Sequence, residues 1–134
     1  MRNIYLTDGT AETFFTAVFD AYRDADAFLS PSRALQTALE DRFIPVLPSK
    51  EKSARVVKKI RSIDKNCLYD LDCALRTPAE DRERAAFAYI RLLIRHNAPI
   101  RGILTFPEVR RIAELSDQVG SERHRLSGFL RVQE

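Results

Sequence analysis

The feature that most constrains this chain is a change of period at Asp8-Gly9. The stretch "NIYLT" (Asn3–Thr7) is short and rich in β-branched and aromatic residues, the composition of a strand. Asp-Gly is a turn signal and ends the run. From Ala11 onward Phe14, Phe15, Val18, Phe19 and Tyr22 recur at helical spacing, while Asp20, Asp24 and Asp26 fall elsewhere. The chain therefore opens as strand, tight turn and amphipathic helix. Its aromatic stripe reads as buried core rather than as a ligand box.

Beyond this unit the signals are uneven. "SPSRALQTALEDR" reads either as a short helix with Ser30 as cap and Pro31 in first position, or as a long connection. "FIPVLPS" (Phe43–Ser49) contains two prolines, so it reads as an edge strand or an extended segment. Ser49 then caps a helix to about Ser62, with Ala54, Val57 and Ile60 on one face and Val56 and Ile63 flanking it. A further helix spans about Lys65 to Arg76, with Asp64 as its cap. Thr77, Pro78 and Glu80 have the pattern of a capping box for a helix that continues to about His96. Ala86, Tyr89, Ile90 and Leu93 form its core stripe, widened by Phe87, Leu92 and Ile94, which makes this helix central. Arg84, Arg91 and Arg95 share its exposed face. Asn97 and Pro99 end it. Thr105 caps a last helix with Pro107 in its first turn and Val109, Ile112, Ala113 and Val119 inward. Gly128 is a natural stop, and "FLRV" begins a strand.

The expected architecture is α+β, mostly helical, with four to six helices and a small sheet. In that sheet the first strand is placed to pair with Phe129–Val132, and a fully helical domain is the alternative. The 134 residues suffice for one domain with a real core. No window approaches the roughly 18 consecutive apolar residues of a membrane span. "MRNIYLTDGT" lacks the apolar run of a secretory signal, so a cytoplasmic location is expected.

The chemistry-bearing residues are few. Cys67 and Cys73 match no zinc or redox spacing and read as small buried residues. With two histidines, no metal site is expected, and no cofactor is implied. Nucleotide-loop, zinc-protease and serine-hydrolase motifs are absent. Asp8 follows a strand directly, where an active-site carboxylate can sit, although its role in the turn explains it equally well.

Charge is distributed unevenly. Residues 50–65 carry 7 basic and 2 acidic side chains, and residues 90–134 carry 8 and 5. A positive surface of this kind suits phosphates, and a solvated helix face is the plain alternative. Lys58, Lys59, Arg91, Arg95, His124, Arg125 and Arg131 are the candidate contacts. His124 and Arg125 also suit a helix C-terminus for dipole reasons alone.

Three pieces in order carry a family resemblance: "IYLTDGTAETFFTAVFDAY", "EKSARVVKKI" and "LTFPEVRRIAELSDQVGSERHRLSGFLR". The last is the most specific, through Glu122, His124, Arg125, Gly128, Phe129, Leu130 and Arg131. The Tyr5, Asp8, Gly9 turn is second. Together they resemble the bacterial family known as "probable DNA metabolism proteins", a domain of unknown function. The resemblance implies a gene partnership with a radical SAM protein of DNA modification or repair. It also implies kinship with domains joined to a uracil-DNA glycosylase. It assigns no catalytic residue. Relatives continue past the Gly-Phe-Leu-Arg block, so residues 1–134 are expected to be one domain forming the N-terminal portion of a longer protein.

Three readings follow. The first is a DNA-metabolism accessory protein that contacts nucleic acid through a basic surface, with Tyr5, Asp8 and Gly9 as a functional turn. The second is a module that docks the radical SAM protein or the glycosylase. The third is an enzyme using Asp8, Glu122 or His124 as acid or base. Under the first, replacing Arg125 and Arg131 by glutamine weakens DNA binding to a similar degree across sequences, because phosphate contacts carry no base information. Titrations of several unrelated oligonucleotides check this.

Overall fold

The computed structural model describes residues 2–31 and 41–117. Five helices and a three-stranded sheet make up this part of the chain: β1 (Asn3–Leu6), α1 (Ala11–Ala21), β2 (Ala27–Ser30), β3 (Arg42–Pro45), α2 (Lys50–Ile63), α3 (Cys67–Leu75), α4 (Arg82–His96) and α5 (107–117). The fold is α+β and mostly helical. The fully helical alternative is overturned by the sheet. The expected strand at Phe129–Val132 lies outside the described residues, as does Val119.

The sheet is parallel, in the order β2-β1-β3. Ile4 and Tyr5 are consecutive, so they point to opposite faces, and both are buried. β1 is thus covered on both sides, as a central parallel strand must be. Arg42 and Val46 donate their N–H groups to the carbonyls of Arg2, just before β1, and of Leu6, its last residue. Pro45 sits between donor positions, so its missing N–H costs no ladder bond, and β3 is the edge strand that its prolines predict. β2 was not expected. Ser30, read as a helix cap, is instead the last residue of this strand, and most of the proposed short helix lies outside the described residues.

Thr10 caps α1, its hydroxyl accepting the N–H of Thr13. Gly9 takes a φ of +84°, which a side chain would resist. Phe14, Ala17, Val18 and Ala21 are buried, but Phe19 stands 40% exposed, so the aromatic stripe is only partly core. Thr16 fixes the next helix by accepting the N–H of Ser49, and Ser49 caps α2 through Lys52 as expected. The buried face of α2 is Val56 and Ile60, while Ala54 is exposed and Val57 half-buried. The inward face is therefore rotated by about one residue, roughly 100° on a helix, from the expected one.

Asp64 is not the cap of α3. It closes α2 and accepts the N–H of Asn66, which precedes α3. The Thr77–Glu80 capping box does not form either. Thr77 donates back to the Ala74 carbonyl at the end of α3, and α4 starts only at Arg82. Arg111 of α5 holds the residue before it, Asp81, in a two-pronged ion pair at 2.7 and 2.8 Å. The expected stripe of α4 is fully buried, and Asn97 ends the helix in the left-handed conformation. α5 starts at Pro107, with the Phe106 carbonyl accepting from Val109 and Arg110; Thr105 is exposed one residue earlier. Cys67 and Cys73 are buried free thiols. Burial, then Asp64 and Asp70, push the Cys67 thiol up to about 12, which keeps it unreactive.

The end of the β1–α1–β2 crossover is pinned from two sides. Arg91 of α4 donates to the carbonyls of Ala21, Tyr22 and Asp24, and its guanidinium lies 4.4 Å from the Phe87 ring centroid. The Asp24 carboxylate accepts from Asn3 Nδ2 and Tyr5 Oη of β1, both at 2.9 Å. Replacing Arg91 by alanine leaves the last carbonyls of α1 without this donor and costs about 2–3 kcal/mol. Lysine recovers only part of that, because a point charge cannot span three acceptors. Urea midpoints at unchanged m-value measure both.

Candidate functional site

The residues singled out from the sequence do not form one site. His124, Arg125, Arg131 and Glu122 lie outside the described residues. Tyr5, in the carboxyl half of β1, is buried and bonded to Asp24, whereas Asp8, two residues past the strand, is exposed in the turn. Burial and the Asp24 bond raise the Tyr5 phenol to about 12, so it stays a protonated structural donor. Of the three residues of the expected functional turn, the Tyr5 side chain is thus buried, and Asp8 and Gly9 are exposed. Arg91 does not lie on an exposed face, because its guanidinium is committed to the end of α1. Arg84 sits over the Phe28 ring at 4.6 Å, and it lines a cleft of about 330 Å³ with Arg91, Arg95 and Glu108. Lys58 and Lys59 are exposed on α2, as expected.

Two further concave places are described, at opposite ends of α1 and α4. The first is where ligands enter open α/β sheets, at the carboxyl ends of the strands where the strand order reverses. Thr7 leaves β1 there and donates to Glu83 Oε1 at 2.6 Å. Glu83, only 2% exposed, was missed from sequence because an acid in the first turn of a helix looks like a dipole charge. Burial raises its carboxyl above the usual range, against the Thr7 bond, and Asp8 adds to the rise. Asp8 itself accepts from the Thr10 hydroxyl and N–H, which hold it below the usual range. A carboxylate held in this way is a turn lock rather than a proton donor. The adjoining crevice, about 220 Å³, also meets the Asp72–Arg76 ion pair.

The second place is a groove of about 520 Å³ between α1, α2 and α4. Thr16 bonds Ser49 and Asp20 bonds Lys52, so α1 and α2 run in the same direction and open toward their C-terminal halves. Val18, Val56 and Ile94 form an apolar floor. Phe19 and Tyr22 supply aromatic walls, and Arg23, just past α1, faces Arg55 and Lys59 of α2 across the groove. Asp20 is the one acid lining it, and the Lys52 ammonium neutralises it at 2.8 Å. The same ammonium lies 5.6 Å from the Phe19 ring centroid. Arg55 pairs with Glu51 at 3.1 Å, both so exposed that the pair contributes little.

Among the described residues no group of acids, histidines and cysteines is arranged to hold a metal ion, and no helix is long and apolar enough to cross a membrane. No protein-family model, curated protein or solved structure matches the chain.

Burial makes the folded protein hold the Glu83 proton to higher pH than the unfolded chain does. Stability from this residue therefore falls as pH climbs from the unfolded value of about 4.3 through the raised folded value. Glutamine at position 83 keeps the Thr7 bond without the charge. The melting temperature of Glu83→Gln minus that of the wild type is expected to increase from pH 4 to pH 8; a flat difference would show that Glu83 titrates normally.

Proposed function

We propose that this chain is a cytoplasmic accessory protein of DNA metabolism that contacts nucleic acid through the basic face of α2 and the groove beside it. The observation that carries the reading is the density of unspent cations there. α2 has six basic residues and one acid. Lys58, Lys59 and Arg61 are exposed and have no ion pair among the described residues, and neither has Arg23 across the groove. The C-terminal ends of helices carry about half a negative charge each. Several full cations outweigh these, so the surface stays positive where a phosphate would approach. The link to DNA metabolism rests on the resemblance of the turn, the basic helix and the final block.

A second reading, docking of a radical SAM protein or a uracil-DNA glycosylase, is favoured by Ile103 and Leu104. They are adjacent and 38% and 56% exposed in the connection before α5. Co-purification that survives loss of the α2 cations, with no nucleic-acid binding, would select it.

Each phosphate neutralised lowers the slope of log K against log salt by about 0.7 for single strands and 0.9 for duplex. The double substitution Lys58→Gln, Lys59→Gln should therefore flatten that slope by about 1–2. Undetectable binding by the wild type at low salt would defeat the proposal.

A further inference from the structure

We infer that the groove between α1, α2 and α4 seats an unpaired base, so that the protein prefers single-stranded nucleic acid to duplex and binds it with little regard to sequence. This deepens the proposed function and rests on it. Cations alone would serve either form, since both present phosphates. The groove adds something that a duplex cannot use. Its floor and walls, Val18, Val56, Ile94, Phe19 and Tyr22, are apolar or aromatic. In a duplex the faces of the bases are stacked on one another and only their edges are presented, whereas an unpaired base offers its whole face to an aromatic ring.

The placement of Phe19 points the same way. It belongs to the buried stripe of α1 by spacing, yet it is 40% exposed at the groove, while Phe14 of the same helix is closed over. The volume, about 520 Å³, falls within the range of sites that enclose small organic groups. Cations flank the apolar floor on both sides, Arg23 just past the end of α1 and Arg55 and Lys59 on α2. Arg55 and Lys59 are four residues apart, about 6 Å along the helix, so they follow a backbone on either side of an inserted base. Lys52, held between Asp20 and the Phe19 ring, stands beside the same position. The polar side chains of the groove are mostly charged ends suited to phosphates. Stacking on an aromatic face is open to every base, and tolerance of sequence follows.

The chain has no tryptophan, so Phe19→Trp introduces a single indole at the groove. Titration with a thymidine oligonucleotide should quench its emission to saturation. A duplex of equal length, or polyglutamate as an acidic polypeptide, should leave it nearly unchanged. Phe19→Ala should weaken binding of the single strand about tenfold or more. It should leave duplex affinity, salt slope and thermal melting as they are, and Phe19→Tyr should retain binding. Equal quenching by duplex or polyglutamate, or an unchanged single-strand affinity in Phe19→Ala, overturns the seated base and leaves the wider proposal standing. Failure of the wild type to bind any nucleic acid at low salt overturns both. Should Phe19→Ala melt early, the tryptophan titration decides alone.

Discussion

The arrangement depends on the Arg91 guanidinium and the Asp24 turn it clamps. A parallel pair of strands cannot be joined by a tight turn, so β1 and β2 need a long crossover whose far end must be fixed in space. α1 ends without a basic residue of its own in the last turn. Arg91, arriving from the central helix some seventy residues later, supplies that charge and donates to three carbonyls at once. Asp24 then hands the connection to β1 through Asn3 and Tyr5. One side chain thus joins α4, the end of α1, the turn and, through Asp24, the sheet.

That clamp also fixes one wall of the groove on which the proposed function rests. Tyr22 and Arg23 follow α1 directly, and both line the groove. The Tyr22 carbonyl is one of the Arg91 acceptors, so the groove wall is built on a fixed backbone. At the other end of the same helices, Thr7 and Glu83 tie β1 to the start of α4 beside the Asp72–Arg76 ion pair. The buried Glu83 carboxyl and the groove cations Arg23 and Lys59 lie at opposite ends of α1 and α4, and the proposed function puts a polyanion at the end with Arg23 and Lys59.

The sequence made the local elements legible where periodicity was long and the caps were simple. The opening strand-turn-helix, Ser49 as a cap, the α4 stripe and Asn97 as a stop all follow from adjacent residues. What it hid was decided by distant partners. "AFLS" is too short to alternate visibly, and it is a strand because β1 offers it a ladder. Thr77, Pro78 and Glu80 spell a capping box, but Thr77 turns back to close α3, and Arg111 fixes Asp81 as the entry to α4 from thirty residues away. Ala54 looks apolar on α2, yet a methyl group is too small to outweigh burial of Val56 and Ile60. The exposure of Lys58 and Lys59 on α2 was legible because a run of cations on a helix needs no tertiary information. Arg91 was misread because nothing near it announces that it serves the end of another helix. Phe19 and Glu83 carried no local signal, since exposure of one and burial of the other arise only when helices meet.

The central claim is that nucleic acid meets this protein on the α1–α2 side. Hydrogen–deuterium exchange with and without a saturating single-stranded oligonucleotide tests it most directly. The account predicts added protection concentrated in peptides covering residues 18–23 and 50–63, with the strand-end segments 7–13 and 72–83 unchanged. Protection at those strand-end segments instead, or none anywhere under conditions where binding is measured, would contradict it.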